Sequence, residues 1–420
     1  MPTRVVLVVA AISLLGASAA TRAAARTLTV PPAYTPVIAG FVGGVTAAVQ
    51  GSDDRWHVVY ELWLTNARPV PATIERVEVL DYDRQDRVLA TLDGDALRAA
   101  LHNLSARPAD DASLAPNTSK LVFVELALAT RGDVPRAIVH RLTGTGGASP
   151  AAPAPAAIRY LVAPWDLTER TPTVIGAPLE GSGWVVMNGC CTGGGAHRGA
   201  IMPIDGKLYD AQRFAIDWMR IGADGRFVLG DPDNVTSYLG YDQRVMAVAA
   251  GKVVEVLDGL DDQKPGALPD PATITIANVD GNHVILEIAP DTWVFYAHLK
   301  KDSIKVKVGD RVVPGQDLGR LGNTGNTSAP HLHLHVMSAP SALAADGLPY
   351  VFAQFVLGGA LDRAQWDLPE SGLGTTYRML PPADPTGAPR RDELPLDLQI
   401  VTFGFSDASG GAPAGERDAR

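Results

Sequence analysis

The sequence predicts an all-β protein made of an N-terminal immunoglobulin-like sandwich and a second, compact antiparallel β domain. Three observations support this class: apolar and polar residues alternate in short runs, turn-forming residues separate the runs, and the 420 residues include 42 Gly and 32 Pro. Alternation with a period of two is typical of half-buried strands, and abundant Gly and Pro favour turns over long helices. A helical bundle or solenoid is therefore disfavoured.

The first 19 residues have the pattern of a secretory signal peptide. Arg4 precedes an apolar run from Val5 to Ala17, and small residues follow up to Ala19. The run is shorter than the ~20 residues that a membrane-spanning helix needs. We therefore expect residues 1–19 to be cleaved, the mature chain to be secreted or periplasmic, and no stable membrane insertion after cleavage.

The charge of the chain disfavours a nucleic-acid partner. The formal net charge is -10 and the sequence pI is about 5.4. Affinity for nucleic acids comes mostly from clustered Lys and Arg that neutralise phosphates, and no basic stripe offsets the acidic balance. We expect no nucleic-acid binding.

Residues 26–145 are predicted to form the sandwich, which is immunoglobulin-like on the strand pattern alone. One short helix is expected at Asp95–Leu104. Residues 146–166 begin with a low-complexity Gly, Ala and Pro stretch, so they are predicted to be a linker or loop. The predicted strands of this region are Trp56–Thr65, Thr73–Leu80, Lys120–Leu128 and Ala137–Leu142.

Residues 167–345 are predicted to form the second domain, because short strands alternate there with Gly-containing turns. Residues 346–420 then form a C-terminal extension with a strand at Leu396–Phe405 and a disordered end. The predicted strands of the second domain are Arg244–Leu257, Thr273–Asn278, His283–Ile288, Trp293–Leu299 and His331–Met337.

The most informative motif is a row of alternating histidines, His331, His333 and His335, that follows a turn ending in Pro330. On a strand these three imidazoles point the same way. Neutral imidazole is a good ligand for a transition metal such as Zn²⁺. A solvated or stacked histidine patch without a metal is the alternative.

One strand cannot complete a tetrahedral site, so ligands must also come from distant parts of the chain. Among the other histidines, His298 and His197 stand out because both lie at or near turns of the second domain. Asp217 lies in an apolar strand, where an unpaired acid is costly. A metal would satisfy this carboxylate, and a salt bridge to Arg213 or another base is the alternative.

At this point the chain resembles the lysostaphin/LytM-type zinc metallopeptidases, which are mostly peptidoglycan endopeptidases, over about residues 170–345. The resemblance implies one zinc ion per chain held by His197, Asp217 and His333, with His298 and His331 in catalysis. It also implies a domain related to the lipoyl-like barrel scaffold. The motifs that carry it are His197, Phe214-Ala-Ile-Asp217, Tyr296-Ala-His298-Leu299, Gly322-Asn-Thr-Gly325 and Pro330-His331-Leu-His333.

The spacing of the first two ligands departs from that family, in which the two residues are usually only four positions apart. Here nineteen residues lie between His197 and Asp217, and a hairpin over Ile201–Leu208 would return the chain to the site. Asp205 and Asp210 remain possible substitutes for His197. His335 stands where family members often have an acid, and we assign it no role in binding the metal.

The resemblance implies a secreted or periplasmic metalloendopeptidase that uses a zinc-activated hydroxide. His331 would help to deprotonate the water, and His298 would stabilise the oxyanion or protonate the leaving amine, although the two roles can be exchanged. The expected substrate is peptidoglycan peptides. Two alternatives are a non-catalytic regulator of a cell-wall hydrolase and a secreted protease that acts on proteins.

Two further features allow other interpretations. The segment Ser303–Gly319 resembles lipoyl or biotinyl carrier domains, but the Met-Lys pair of such carriers is missing near Met246. Cys190 and Cys191 are adjacent, which favours two small buried side chains or a vicinal disulfide over metal or redox chemistry.

Overall fold

The computed structural model describes residues 27–44, 46–147, 155–167, 170–369 and 371–404. The predicted signal peptide at 1–19 and the predicted disordered end lie outside the described residues. Within them strands dominate and helices are short, which confirms the all-β class. None of the helices in these ranges is long and apolar enough to cross a membrane.

The N-terminal half contains two five-stranded antiparallel sheets, ordered β1-β3-β8-β6 with β2 on β3, and β10-β9-β4-β5 with β7 on β4. Both sheets contribute to one apolar core, with Leu62 from one sheet and Val77 from the other fully buried. The immunoglobulin-like topology remains a prediction. The elements are β1 Val37–Phe41, β2 Val49–Gln50, β3 Trp56–Asn66, β4 Ala72–Asp81, β5 Arg84–Asp93, α1 Gly94–Ala100, β6 Leu101–Asn103, β7 Ser113–Leu114, β8 Ser119–Leu128, β9 Ala137–Gly146 and β10 Ala156–Asp166.

Two predictions for this half are wrong. The predicted linker at 146–166 contains strand β10, which pairs with β9 from Ala156 to Asp166. The Gly, Ala and Pro composition describes only the connection before it. The predicted helix at Asp95–Leu104 ends at Ala100, and the chain continues as strand β6.

The C-terminal half is built on an eleven-stranded sheet, ordered β20-β17-β18-β19-β22-β15-β12-β27-β24-β25, with β26 on β24. Its elements are β11 Thr173–Ile175, β12 Gly181–Met187, β13 Met202–Ile204, β14 Lys207–Tyr209, β15 Ile216–Arg220, β16 Arg244–Met246, β17 Gly251–Leu257, β18 Asn282–Ala289, β19 Thr292–Leu299, β20 Arg311–Val312, β21 Asp317–Arg320, β22 Leu332–Met337, β23 Tyr350–Phe352, β24 Phe355–Leu361, α2 Arg363–Trp366, β25 Met379–Leu380, β26 Pro389–Arg390 and β27 Gln399–Phe403.

The region predicted as a C-terminal extension, 346–420, takes part in this sheet over its described residues. Strand β27 lies between β12 and β24 and pairs with both. Val401 and Phe403 belong to the same apolar core as Trp218 of β15. Residues 399–403 are therefore an internal strand and not an appendage.

The two halves meet at a buried ion cluster around Glu61 of β3. One carboxylate oxygen of Glu61 accepts hydrogen bonds from Arg198 at 2.7 and 3.0 Å, and the other accepts one from Arg213 at 2.7 Å. Burial opposes ionisation of Glu61, but the two guanidinium groups hold its pKa below the usual value. Because Arg198 directly follows His197, this cluster fixes the segment that carries a predicted metal ligand.

Candidate active site

Strand pairing brings two of the predicted site residues side by side. Strand β22 lies between β15 and β19, and the register places His333 opposite both Asp217 and Ala297. Directly opposite residues on neighbouring strands point to the same face of a sheet. The Asp217 carboxylate and the His333 imidazole therefore meet on one face of the sheet.

Asp217 is the centre of the cluster. Its Oδ1 lies 2.9 Å from His333 Nδ1 and 3.2 Å from His331 Nε2, and its Oδ2 lies 3.2 Å from His197 Nε2. The side chain of Asn188 donates a hydrogen bond to Oδ2 at 2.8 Å. Burial raises the pKa of Asp217, but the charges of His197 and His331 hold it well below the usual range.

His197 reaches the cluster in spite of its unusual distance along the chain. Strands β13 and β14 form the hairpin that the sequence predicts, which returns the chain towards β15. The Nδ1 of His197 lies 2.9 Å from the Asn188 carbonyl and 3.0 Å from the Ala215 carbonyl, so Nε2 faces Asp217. The spacing along the sequence does not distinguish His197 from Asp205 and Asp210, the two possible substitutes.

Neither of the two possible substitutes for His197 lies in the cluster. Asp210 is fully buried beside Arg213, away from the histidines, and Asp205 lies in the hairpin turn. Arg213 pairs with Glu61 and not with Asp217. Cys190 and Cys191 are joined by a vicinal disulfide in the segment before His197.

The donor set fits a zinc ion. His197, Asp217 and His333 each offer one ligand atom, and these three atoms lie within 4.8 Å of one another. Two imidazoles, one carboxylate and an open fourth position are typical of catalytic zinc sites. All three residues are at least nine-tenths buried, and a shielded carboxylate among imidazoles has a strong need for a cation.

His335 forms a hydrogen bond with the side of the His333 ring that faces away from Asp217, a role that the sequence did not predict. His335 Nδ1 lies 2.8 Å from His333 Nε2, and the Nε2 of His335 is buried without a hydrogen-bond partner. When His333 uses Nδ1 as a ligand atom, its Nε2 carries the proton and donates it to His335. Such a partner fixes the tautomer of a metal-binding histidine.

His298 and His331 form a second pair at the open side of the cluster, with ring centroids 4.6 Å apart. His298 Nδ1 donates to the Thr324 carbonyl at 2.7 Å, and His331 Nδ1 donates to the Ala329 carbonyl at 2.8 Å. In the neutral rings, Nε2 is therefore a proton acceptor in both cases. Burial holds the pKa of His298 well below its usual value, and the charges of His331 and His333 add to this effect.

The backbone around His298 is in an uncommon conformation that its neighbours maintain. His298 has a φ of 60°, a region that few residues other than Gly adopt and that often marks functional sites. Its N–H donates to the Asp280 carbonyl at 3.1 Å. Gly325 follows Thr324, whose carbonyl accepts the His298 hydrogen bond. A Cβ on Gly325 would lie 2.2 Å from the backbone nitrogen of Gly281, so only glycine permits this close approach of the two backbone segments.

The five predicted side chains line one cleft of about 410 Å³. Its walls also contain apolar side chains, among them Met202, Leu268 and Leu343, and the polar turn at 326–328. A cleft that combines apolar walls with a few converging polar groups is the usual form of a small-ligand or peptide site.

Part of the chain is similar in sequence to known peptidases. Residues 236–344 match the sequence model of peptidase family M23. The glycyl-glycine endopeptidase ALE-1 of Staphylococcus capitis is 34% identical over 124 residues, which are 29% of this chain and 29% of that protein. The peptidoglycan DD-endopeptidase ShyA of Vibrio cholerae is 40% identical over 57 residues, which are 14% of this chain and 13% of that protein.

Part of the chain is thus similar to peptidase family M23, and lysostaphin of Staphylococcus is among the similar proteins. It spans less than a third of the length of these curated relatives. The catalytic domain of lysostaphin from Staphylococcus simulans aligns with 40% of this chain and 86% of that domain, at 21% identity and a TM-score of 0.22. His197 and Asp217 precede the residues that the family model matches.

Proposed function

We propose that this chain is an exported zinc metalloendopeptidase that hydrolyses peptide bonds in peptidoglycan. The observation that supports it most strongly is the convergence of His197, Asp217 and His333 with a second histidine pair in one cleft. The relatives named above are a glycyl-glycine endopeptidase and a peptidoglycan endopeptidase, which favours a cell-wall substrate. The complete donor set favours an enzyme over a non-catalytic regulator.

His197, Asp217 and His333 would hold the metal. When bound, zinc supplies a Lewis acid for the scissile carbonyl and makes water acidic enough to react near neutral pH. The carbonyls of Asn188 and Ala215 orient His197, while His335 orients His333. These contacts leave Nε2 of His197 and Nδ1 of His333 as the inward lone pairs.

His331 and His298 would move protons. Because each ring donates its Nδ1 proton to a backbone carbonyl, each can accept a proton at Nε2 and then donate it. His331 faces Asp217 and is placed to accept the proton of the attacking water. His298 can hydrogen-bond the developing oxyanion or protonate the leaving amine once its Nε2 carries a proton.

The test is a pair of substitutions two residues apart, at His331 directly before β22 and at His333 within it. His333→Ala is expected to lose zinc, because it removes one of three protein ligands. His331→Ala is expected to retain zinc and to lose peptide hydrolysis by at least about 100-fold, as is typical when a general base is removed. Zinc content by atomic emission and release of soluble fragments from purified sacculi measure the two properties.

A matched digestion separates the cell-wall substrate from ordinary proteins. The wild-type enzyme should release new amino termini from sacculi and leave an unfolded protein such as casein largely intact. Equal cleavage of both substrates would instead favour a general secreted protease. Full hydrolysis by His331→Ala would remove the mechanistic part of the proposal.

A further inference from the structure

Asp280 is a buried acid in the cleft that the proposed mechanism does not use. It is 8% exposed, lines the cleft together with His298, and its backbone carbonyl accepts the His298 N–H. Among the described residues its carboxylate makes neither a hydrogen bond nor an ion pair within 4 Å. A buried carboxylate without a partner is costly, so this position is suited to a ligand that brings one.

The cleft continues past Asp280 into a second hollow. Asp280 and Leu343 line both cavities, and the second one extends to Glu255 and His283. His283 Nε2 lies 3.3 Å from Glu255 Oε1, while its Nδ1 donates to the Gly281 carbonyl at 2.8 Å. We name this second hollow, which Asp280 and the half-exposed Glu255 both line, the acidic groove.

Over the described residues, the acidic groove is lined by two carboxylates and by no permanently cationic side chain. None of the described residues that line it or the adjoining cleft is Lys or Arg. Burial raises the pKa of Asp280 to about 6, and the charge of His283 opposes this rise. Asp280 is therefore mainly a carboxylate at neutral pH, and a bound cation would lower its pKa further.

The apolar residues of the acidic groove indicate which kind of cation it would bind. Leu343, Ile276 and Ile285 line the groove together with the two carboxylates, and Ile276 is 65% exposed. An alkyl chain with a charged end buries its methylene groups on such a surface and keeps its charge at a polar end. Asp280, Glu255 and His283 do not bring their ligand atoms within 4.8 Å of one another, as the zinc donors do, which argues against a second metal ion.

We propose that the acidic groove is a specificity subsite for a substrate residue with a primary ammonium group on an alkyl side chain, and that Asp280 pairs with this ammonium. The inference rests on the proposed peptidase function, because it assigns a substrate residue to the same cleft. Charge-assisted hydrogen bonds between ammonium and carboxylate are stronger than neutral ones.

Paired peptides test this subsite. Lysine and its uncharged isostere norleucine are placed in turn at three positions on each side of the scissile bond of a cleavable peptide. At one position, the wild-type enzyme is expected to prefer lysine by about tenfold in kcat/KM, mainly through KM, because the contact lies away from the reacting atoms. Asp280→Asn should remove most of this preference, and Glu255→Gln should reduce it.

Asp291→Asn is the matched control, because it removes the same charge by the same substitution at an exposed turn outside the groove. It should leave the preference unchanged. If the wild-type enzyme cleaves the lysine and norleucine peptides at equal, measurable rates at every position, the subsite is overturned. An unchanged preference in Asp280→Asn would do the same.

A binding measurement keeps this inference separate from the proposed function. The same peptides are titrated into the His331→Ala protein by calorimetry, where about tenfold tighter binding of the lysine peptide is expected. If no peptide or sacculus is cleaved by the wild-type chain but the binding preference is present and depends on Asp280, the peptidase proposal fails and the subsite stands. If cleavage occurs without any such preference, the subsite fails alone.

Discussion

Asn188 makes two contacts that organise the proposed metal centre. Its side chain donates to Asp217, and its carbonyl accepts from His197. With a φ of 56°, it occupies a conformation that Asn and Gly adopt more readily than other residues. One residue therefore orients both the carboxylate and an imidazole of the donor set.

Asn188→Gly is expected to weaken zinc binding by about 10- to 100-fold, the usual effect of losing a residue that orients a metal ligand. Glycine keeps the backbone conformation and the carbonyl that faces His197, so the change isolates the lost amide. Zinc affinity in competition with a chelator is the measurement. An affinity equal to that of the wild type would show that Asp217 is oriented without this amide.

Local residue patterns predicted part of the site and missed the rest for a physical reason. Alternating histidines next to a Pro-ended turn identify His331 and His333, because period and turn chemistry are local properties. Asn188 has no such local signal, since its role depends on contacts with β15. The hydrogen bond of His335 to His333 likewise depends on a tautomer that the sequence does not contain.

At the scale of elements, the alternation of apolar and polar residues predicted most strands. It failed where side chains form hydrogen bonds with the backbone groups that a strand would pair. Thr273–Asn278 alternates like a strand, yet Pro271–Thr273 is a short 3₁₀ helix capped by the Asp270 side chain. The Asn278 side chain then accepts hydrogen bonds from the backbone and side chain of Thr275. Such local bonds compete with strand pairing.

Strand β9 carries a histidine that is expected to make the N-terminal sheets sensitive to acid. His140 Nδ1 donates to the Ala163 carbonyl at 3.0 Å, and its Nε2 lies 2.7 Å from the Tyr60 hydroxyl. Burial lowers the pKa of His140 to about 4, although backbone hydrogen bonds oppose this shift. The folded protein thus holds this ring neutral well below the pKa of an exposed histidine.

Between pH 6.5 and 4 the unfolded chain binds a proton at His140 that the folded chain does not, so stability falls as the pH falls. This contribution amounts to about 3 kcal/mol over the window. Urea unfolding of the wild type and of His140→Gln at several pH values measures it. The variant should lose less stability between pH 7 and 4.5 than the wild type, and parallel curves would contradict the prediction.

At the scale of the whole molecule, the Glu61 cluster joins the two halves and reaches the metal-ligand segment. Arg198 also donates to the Cys191, Tyr60 and Val124 carbonyls, so this guanidinium bridges several elements. Val49 and Val59 of the N-terminal half pack into the core of the C-terminal half. The sequence predicts two separate domains, because no local pattern in either segment indicates which residues of the other it contacts.

Glu61→Gln is expected to destabilise the protein by about 3–5 kcal/mol, because it removes the buried counter-charge that Arg198 and Arg213 share and leaves Arg213 only the more distant Asp210, at 3.6 Å. Asp93→Asn is the control: its pair with Arg76 is about half exposed on both sides and should be worth less than about 1 kcal/mol. Guanidinium chloride unfolding measures both. A small effect of Glu61→Gln would mean that the arginines find other acceptors.

The place of strand β27 has a consequence for how the protein is made. Residues 399–403 pair with β12, and β12 pairs in turn with β15, which carries Asp217. A ribosome delivers these residues long after the segments that hold the histidines. The sheet that carries Asp217 can therefore complete its strand order only after residues 399–403 have been synthesised.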